Sequence, residues 1–237
     1  MRIALLDDDP IFVQLVRATI EQMGYACVTF ETGEALVHAL RRESFDLLIV
    51  DWQLPGMSGL EVVRTLREAE NTELPILFVT QRQDEADIVA AFQAGADDFM
   101  SKPLRVQELM ARVRALLRRA YPDVSQGRTD FAPYTLDPIN RTVLLLGQPI
   151  ELKHREYELA AFFFRNAGRL LSRNHLSEAV WNNATTLSRT LDTHASRLRS
   201  KLQLGTYHGS GHVYQLSAVY GLGYRMEVLP APQTSAT

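Results

Sequence analysis

The chain has 237 residues, of which 46% are hydrophobic and 22% are charged, and its formal net charge is −3. These values are ordinary for a globular protein and exclude a disordered or collagen-like chain. The longest apolar run, Leu159 to Phe164, has six residues, whereas a membrane-spanning helix needs ~20. The single cysteine, Cys27, excludes a disulfide framework, and the N-terminal apolar run is too short for a signal peptide. We expect a cytoplasmic protein of one large domain or two small ones, with no membrane partner.

Charge is distributed unequally along the chain. Residues 1–120 contain 13 Lys and Arg against 19 Asp and Glu, a balance of −6, and residues 130–237 contain 11 against 8, a balance of +3. An acidic half joined to a mildly basic half predicts two modules with different partners.

The first half alternates short apolar runs with amphipathic segments. Apolar runs of this length are typical of strands in a sheet that is buried on both faces. Five strands are predicted at Ile3–Leu6, Ala26–Phe30, Leu47–Val50, Ile76–Val79 and Asp98–Met100. Five helices are predicted at Ile11–Met23, Gly33–Arg42, Gly59–Ala69, Glu85–Ala94 and Val106–Arg119. This order implies an α/β doubly wound parallel five-stranded sheet, whose ligand site lies at the carboxyl ends of the strands.

Charged and hydroxyl side chains occur where the predicted strands end. Asp7–Asp9 follow the first strand, Asp51 follows the third, Thr80 ends the fourth, and Lys102 lies just after the fifth. Three carboxylates at one edge of a sheet repel one another unless a cation such as Mg²⁺ lies among them, and Mg²⁺ prefers oxygen ligands. A carboxylate beside Mg²⁺ can act as a nucleophile and form an aspartyl-phosphate. Lys102 and Thr80 would then supply countercharge and a hydrogen bond to the phosphoryl group.

Each of these residues has an ordinary explanation when it is taken alone. An acidic run before a helix most often caps that helix, and an aspartate at a strand end is usually a turn residue. Their joint occurrence at the ends of strands one, three, four and five favours the functional interpretation.

Two stretches of the first half resemble a known family: Asp51–Gly59 (DWQLPGMSG) and Gly95–Leu104 (GADDFMSKPL). With them, residues 2–119 resemble the receiver domain of two-component response regulators, which has a flavodoxin-like fold. The resemblance implies that Asp51 is the phosphoacceptor. The implied Mg²⁺ ligands are Asp8 and Asp51 directly, Asp7 through water, and the backbone carbonyl of Gln53.

The same resemblance implies a switch. Thr80 and Phe99 match the family's switch pair, in which the hydroxyl moves to the phosphoryl group and the aromatic ring swings inward. Gln81 departs from the pattern, because receivers usually have Ala or Gly after the switch threonine. A longer side chain there would partly cover the phosphoryl site, so we predict slow phosphorylation by small donors. An unchanged rate in Gln81→Ala would contradict this hypothesis.

The second half has a different pattern. Tyr121–Asp130 has no apolar periodicity and is predicted to be a linker. Strand-like pieces around a Gly147-Gln148-Pro149 turn are followed by predicted helices at Lys153–Asn166, Arg173–Trp181 and Ser188–Leu202. A hairpin of Val213–Val219 and Tyr224–Val228 closes the pattern. Three helices followed by a hairpin predict a winged helix-turn-helix domain.

The third helix of this half is amphipathic. Its apolar residues recur at helical spacing and predict one buried face: Leu191, Ala195, Leu198 and Leu202. The opposite face carries Arg189, Thr193, Ser196, Arg197 and Ser200. Arginines among small hydroxyl residues suit the major groove of DNA, where arginine reads guanine or holds phosphates. A solvated basic face is the alternative, and the neighbouring helices and hairpin favour recognition.

Residues 131–229 resemble the winged-helix domain of OmpR/PhoB-type response regulators. The motifs are Glu151–Leu159 (ELKHREYEL), Ser188–His194 with Arg197–Arg199, and Tyr220–Arg225 (YGLGYR). Together with the helix face above, they indicate these DNA-binding residues: Arg189, Thr190, Thr193, His194, Ser196, Arg197, Arg199 and Tyr220. The predicted organisation is a receiver domain at 1–120, a linker at 121–130, a winged-helix domain at 131–229 and a tail at 230–237.

Three departures concern the contacts of this domain. Many relatives carry a wing arginine where this chain has Tyr220, which could instead stack on the sugar-phosphate backbone. Ser196 stands where arginine is common, which would weaken phosphate binding. The turn Trp181–Leu187 lacks acidic residues, although in the family this loop often touches RNA polymerase.

The resemblance also implies partners, namely a cognate sensor histidine kinase, promoter DNA, RNA polymerase and a second copy of the chain. Receivers of this subfamily pair through the fourth helix, fifth strand and fifth helix. The matching residues here are Ile88, Asp97, Asp98, Glu108, Arg112 and Arg119. Ile88 replaces a usual cation, so we expect dimerisation that depends less on salt than in relatives.

Two other functions are less consistent with the sequence. A Mg²⁺-dependent phosphatase with an aspartyl nucleophile generally needs a second carboxylate two residues later, and position 53 is Gln53. Constitutive DNA binding without phosphorylation is disfavoured by the intact acidic set, Thr80 and Lys102. We therefore expect a signalling protein rather than a metabolic enzyme, in which phosphorylation of Asp51 switches dimerisation and promoter binding.

Overall fold

The computed structural model describes residues 1–69, 74–121, 128–181, 188–209 and 211–231. The chain splits into two compact units, Met1–Pro122 and Asp123–Thr237. Most of the predicted linker (122–127), most of the predicted tail (232–237) and most of the predicted turn (182–187) lie outside the described residues. Within the described ranges, no helix is long and apolar enough to cross a membrane.

The first unit contains the predicted five-stranded parallel sheet, with strand order β2-β1-β3-β4-β5. Its strands are β1 Arg2–Leu6, β2 Ala26–Phe30, β3 Leu47–Val50, β4 Ile76–Thr80 and β5 Asp98–Ser101. Strands β1, β3 and β4 are buried on both faces, which is why they are apolar throughout. The doubly wound α/β fold is therefore confirmed.

Five helices cover the two faces of this sheet, and each predicted end lies within two residues of the observed one. They are α1 Pro10–Gln22, α2 Gly33–Leu40, α3 Gly59–Glu68, α4 Glu85–Ala94 and α5 Val106–Ala120. Local sequence signals explain where three of them begin. The side chains of Asp9, Thr32 and Ser58 accept hydrogen bonds from the first backbone N–H groups of α1, α2 and α3, which would otherwise have no partner.

The start of α3 lies against the end of β3. A Cβ atom added to Gly59 would be 1.9 Å from the backbone oxygen of Asp51, and the N–H of Gly59 donates to the oxygen of Trp52 at 3.0 Å. Only glycine permits this approach. Gly59 thus allows α3 to pack directly against the backbone of Asp51, the residue predicted to be the phosphoacceptor.

The second unit begins with an antiparallel sheet of order β6-β7-β8-β9. Its strands are β6 Thr129–Phe131, β7 Tyr134–Asp137, β8 Thr142–Leu145 and β9 Gln148–Ile150. The prediction of a turn at Gly147-Gln148-Pro149 was wrong in register. The turn is Leu146-Gly147, both with positive φ (51° and 79°), as a two-residue hairpin requires. Pro149 is compatible with β9 because that strand lies at the edge of the sheet.

Three helices and a three-stranded sheet complete the second unit, as predicted for a winged helix-turn-helix domain. The helices are α6 His154–Arg165, α7 Arg173–Trp181 and α8 Ser188–Lys201. The sheet has the order β10-β12-β11, with β10 Leu170–Ser172, β11 His212–Val219 and β12 Gly223–Pro230. One apolar cluster joins these helices to both sheets of the unit.

Candidate phosphoacceptor site and DNA-binding surface

Backbone hydrogen bonds continue past the strand ends of the receiver sheet and bring its polar residues together. Asp7 N–H donates to the oxygen of Phe30 at 3.1 Å, and Asp51 N–H donates to the oxygen of Leu6 at 2.9 Å. Lys102 N–H donates to the oxygen of Thr80 at 2.8 Å. Residues up to 95 positions apart in sequence are thereby fixed at one edge of the sheet.

Three carboxylates and one ammonium group form the centre of this edge. The Lys102 Nζ atom donates to Asp7 Oδ2 and to Asp51 Oδ2, at 2.8 Å in both cases. One oxygen from each of Asp7, Asp8 and Asp51 lies within 4.8 Å of the others. Asp7 and Asp51 are buried, whereas Asp8 is exposed. The predicted acidic cluster therefore exists, with Lys102 bridging its two buried members.

Burial and charge act against each other in this cluster. Burial raises the pKa of Asp7 above its usual range, despite the hydrogen bond from Lys102. For Lys102, burial acts to lower the pKa, but the hydrogen bonds to Asp51 and Asp7 outweigh it and the pKa is raised. Lys102 therefore remains an ammonium group, and the Asp7 carboxylate gains stability from any cation placed beside it.

The oxygen-only donor set fits Mg²⁺. Two buried carboxylates and one exposed carboxylate would supply ligands from the protein side, and the exposure of Asp8 would leave room for the waters that Mg²⁺ keeps. Receiver domains bind Mg²⁺ through acidic residues of this kind. Gln53, the fourth predicted ligand, directs its N–H towards Asp51 Oδ1 at 3.4 Å, and its side chain is exposed.

The predicted switch residues lie on β4, which is next to β3, and on β5, which is next to β4 at the edge of the sheet. Thr80 is fully buried at the end of β4, and its Oγ1 accepts from the N–H of Arg82 at 3.4 Å. Phe99 is half-buried on β5 beside Phe78. Gln81 is exposed directly after Thr80.

Sequence patterns did not identify several neighbours of the site. The ring of Phe12 lies 4.0 Å from Lys102 Nζ, so α1 supports the ammonium group by a cation–π contact. The Trp52 N–H donates to Asp51 Oδ1 at 2.6 Å. Arg82 packs over the Trp52 ring and binds Asp87 of α4 at 2.9 Å. Apart from the bond between the adjacent residues Trp52 and Asp51, these contacts join residues from separate segments of the chain, and no spacing in the sequence signals them.

Several of the residues predicted to join two receivers form ion pairs within a single chain. Arg112 binds both oxygens of Asp98 at 2.8 Å and Glu108 at 2.8 Å. Asp97 accepts from Arg67 of α3 at 2.9 Å and from the N–H of Ile76 at 2.8 Å. Arg119 is exposed and Ile88 is half-buried.

The fourth helix also exposes apolar side chains next to these residues. Val89 and Phe92 keep 46% and 47% of their surface exposed. This face therefore offers apolar contact area beside its ion pairs.

Helix α8 presents the predicted face. Leu191, Ala195, Leu198 and Leu202 are buried, which confirms the apolar side. The exposed residues on the other side are Arg189, Thr193, Ser196, Arg197 and Ser200.

Three further candidates on this helix have contacts within the domain. The Arg199 Nε–H donates to the oxygen of Leu216 at 2.7 Å, and its guanidinium lies 5.6 Å from the Tyr224 ring. His194 Nδ1 lies 2.8 Å from the oxygen of Thr190, and its ring packs edge-on against Trp181. Both Thr190 and His194 are half-buried.

A cluster that the sequence did not reveal connects α8 to the hairpin. Asp192 of α8 accepts hydrogen bonds from Arg173 at 2.7 Å and from the hydroxyl of Tyr224. The backbone N–H of Arg173 donates to Leu222 in the hairpin turn at 3.3 Å. Beside this turn, Tyr220 is fully exposed, with a relative exposure of 102%. Residues 213–224 contain no Lys or Arg, and the hairpin turn presents the aromatic ring of Tyr220 to solvent.

Comparisons with known proteins agree with both halves. Residues 3–114 match the family described as "Response regulator receiver domain", and residues 147–226 match "Transcriptional regulatory protein, C terminal". The chain is 34% identical over 227 residues to the phosphate regulon transcriptional regulatory protein PhoB of Pseudomonas aeruginosa, covering 94% of this chain and 96% of that one. It is 32% identical over 230 residues to the sensory transduction protein RegX3 of Mycolicibacterium smegmatis, covering 95% and 98%.

Among solved structures, the response regulator DrrB of Thermotoga maritima, an OmpR/PhoB homologue, aligns with a TM-score of 0.47 at 30% identity, over 95% of this chain and 98% of that one. The assignment rests on the two domain families and on the full-length relatives. The chain belongs to the OmpR/PhoB-type two-component response regulators, in which a receiver domain is joined to a winged-helix domain that regulates transcription.

Proposed function

We propose that Asp51 accepts a phosphoryl group from a sensor histidine kinase and that this controls dimerisation and promoter binding. The observation that carries the proposal is the Lys102 Nζ atom, 2.8 Å from both Asp7 and Asp51, within a cluster of three carboxylates. That arrangement supplies a nucleophile, a positive charge and an oxygen donor set in one place.

In the transfer step, one carboxylate oxygen of Asp51 forms a bond to phosphorus. The bond between phosphorus and the kinase histidine nitrogen breaks, and the nitrogen keeps the electron pair. Lys102 then pairs with a phosphoryl oxygen, and the hydroxyl of Thr80 donates to another. Bound Mg²⁺, held by Asp7, Asp8, Asp51 and the Gln53 carbonyl, would neutralise charge on the carboxylates and the phosphoryl group.

Movement of Thr80 towards the phosphoryl group would leave space that the Phe99 ring enters. Phe99 lies on β5, within the α4–β5–α5 face that also carries Ile88, Val89 and Phe92. We propose that two receivers pair through this face, with Asp97, Asp98, Glu108, Arg112 and Arg119 at its polar part. Exposed ion pairs contribute little individually, so the apolar residues would supply much of the binding energy.

The paired chains would place two α8 helices in adjacent major grooves. Arg189, Thr193, Ser196 and Arg197 are exposed on α8 and would meet bases and phosphates. The remaining proposed contacts are Thr190, His194, the terminal nitrogens of Arg199, and Tyr220 at the wing. RNA polymerase as a further partner, a cytoplasmic location and the lack of a metabolic activity rest on the family resemblance.

The first test is the intact mass of the purified protein after treatment with acetyl phosphate and Mg²⁺. Wild type is expected to gain one phosphoryl group, and Asp51→Asn is expected to gain none. Gain by both proteins would show that another residue is the acceptor.

No gain in either protein would leave two explanations that Gln81→Ala separates. Gain in Gln81→Ala alone would support shielding of the site by the glutamine side chain. No gain in that variant would favour DNA binding without phosphorylation.

Salt tests the proposed dimer. Sedimentation of the activated protein should give similar dimerisation at low and high salt, because Ile88 replaces an ion-pair partner. Strong weakening by salt would contradict this.

A further inference from the structure

A buried carboxylate lies beneath the DNA-binding face of α8. Glu156, in the first turn of α6, is fully buried. Its Oε2 atom accepts from the Lys201 Nζ atom at 2.8 Å and from the Lys153 N–H at 2.9 Å. One donor from the N-cap of α6 and one from α8 therefore fix the position of this carboxylate.

The second oxygen of Glu156 has a different environment. Oε1 is buried and has no hydrogen-bond partner among the residues that the structure describes. A buried charged acceptor without a partner is costly and attracts the nearest donor. A cation faces Oε1, namely Arg197, whose Nη1 atom lies 3.9 Å away.

Arg197 lies between this carboxylate and the solvent. Its side chain keeps 51% of its surface exposed, and it makes no hydrogen bond within the described ranges. Arg197 and Lys201 are one helical turn apart on α8, and their nitrogen atoms lie 3.9 Å and 2.8 Å from the two oxygens of Glu156. The distance of 3.9 Å is too long for a hydrogen bond but short enough for electrostatic attraction, which solvent screens only on the exposed side of Arg197.

Rigid placement matters for an arginine that reads bases. A guanidinium recognises guanine through two parallel hydrogen bonds, which need a defined orientation, whereas a phosphate accepts a cation in many orientations. An arginine without a fixed neighbour would pair with any phosphate along the duplex.

We propose that Glu156 is a positioning residue that determines the specificity of DNA recognition by holding Arg197 in one orientation. The inference rests on the proposed function, since it assumes that α8 enters the major groove. It assigns Glu156 a role beyond the start of α6, namely selection between base contacts and non-specific phosphate contacts.

The experiment uses the full chain and DNA selected by the protein itself. A random duplex pool is enriched with wild type, and the tightest duplex is compared with a shuffled duplex of the same composition by fluorescence anisotropy. The specificity ratio is the Kd for the shuffled duplex divided by the Kd for the enriched duplex. Glu156→Gln is expected to lower this ratio about tenfold, the effect of one good base contact.

Glu158→Gln is the matched control. Glu158 lies on the same helix and bonds to Arg155 at 2.7 Å, so the variant changes the net charge equally without affecting Arg197. Its specificity ratio should stay within about twofold of wild type, because a general charge effect acts on both duplexes alike. In an Arg197→Ala background, Glu156→Gln should leave the ratio unchanged.

A second variant covers the case in which Glu156→Gln does not fold. Glu156→Gln combined with Lys201→Met removes both members of the buried pair, and proteins tolerate this better than removal of one member. The double variant should lower the specificity ratio to the same extent as Glu156→Gln. Equal weakening on both duplexes would overturn the inference and leave the proposed function intact. Failure of wild type to enrich any sequence would overturn both.

Discussion

The receiver and the winged-helix domain each contain a cation beside a buried carboxylate, but the two arrangements differ in closure. In the receiver, Lys102 has 11% of its side chain exposed and binds Asp7 and Asp51 directly. In the winged-helix domain, Arg197 keeps 51% exposed at 3.9 Å from Glu156. The first cluster is closed around the proposed phosphoacceptor, and the second leaves its cation exposed to solvent.

This difference has an energetic consequence. Removing one member of a closed buried cluster leaves uncompensated charge in a poorly solvated place. Removing an exposed cation changes folding little, and its effect is confined to binding. We therefore expect substitutions in the closed cluster of the receiver to change its stability. Substitutions of exposed residues of the winged-helix domain should instead change its affinity for DNA.

The largest effect is expected for Lys102→Met. Asp7 and Asp51 would lose their shared donor, so the free energy of unfolding of the receiver should fall by about 3 kcal/mol. Urea denaturation in EDTA, followed by Trp52 fluorescence in a Trp181→Phe background, measures this change, and Mg²⁺ should restore part of it. Arg114→Met, on the exposed side of α5, is the control. Equal stability of Lys102→Met and wild type would show that the cluster is not closed as described.

A smaller effect is expected for Gly59→Ala. Its Cβ would lie 1.9 Å from the Asp51 backbone oxygen, so α3 and the phosphoacceptor must move apart. We expect a loss of about 2 kcal/mol of stability and slower phosphorylation by acetyl phosphate.

Gly33→Ala provides the comparison for Gly59→Ala. Its Cβ would meet Val62 Cγ2 at 2.6 Å, so it should also destabilise the receiver. It should leave the phosphorylation rate per folded molecule unchanged. Equal rates in both variants would mean that the approach at Gly59 does not set the Asp51 geometry.

Tyr220→Ala tests the proposed DNA contact of an exposed residue in the winged-helix domain. Because the side chain is fully exposed, stability should not change, while DNA affinity should fall about fivefold, equivalent to ~1 kcal/mol. The salt dependence of binding should stay the same, whereas Tyr220→Arg should steepen its slope by about one. Anisotropy titrations at several salt concentrations give both quantities. Unchanged affinity in Tyr220→Ala would exclude the wing contact.

The smallest effect is a gain of stability in Lys153→Thr. Lys153 occupies the N-cap of α6, and a lysine side chain has no acceptor for the N–H groups of the first turn. Threonine would supply one and stabilise the winged-helix domain by about 0.5 to 1 kcal/mol. Thermal unfolding followed by Trp181 fluorescence measures the change, and a lower melting temperature would contradict it.

The sequence by itself determined the order and type of nearly all elements. Apolar runs and helical periodicity are properties of consecutive residues, so every helix, the five receiver strands and the two hairpin strands were predicted with ends within two residues. Strands β6–β9 were expected only as strand-like pieces without bounds, and the short strand β10 was not predicted. The buried and exposed faces of α8 followed from the same periodicity. The predicted turn near Gly147 lay too far along the chain, because the glycine and the proline together indicated a turn. Pro149 instead lies in β9, where the edge position of the strand makes a proline acceptable.

Only the tertiary structure decided which side chains bond to one another. That Asp7, Asp51 and Lys102 lie near one edge follows from their positions at strand ends, but Lys102 as the bridge depends on how β1, β3 and β5 are placed. The support of Lys102 by Phe12, the link from Asp192 through Arg173 to the hairpin, and the approach of Glu156 to Arg197 join residues from separate elements. The periodicity of the sequence predicts which face of a helix or strand is buried. Which side chains contact that face depends on how the elements pack together.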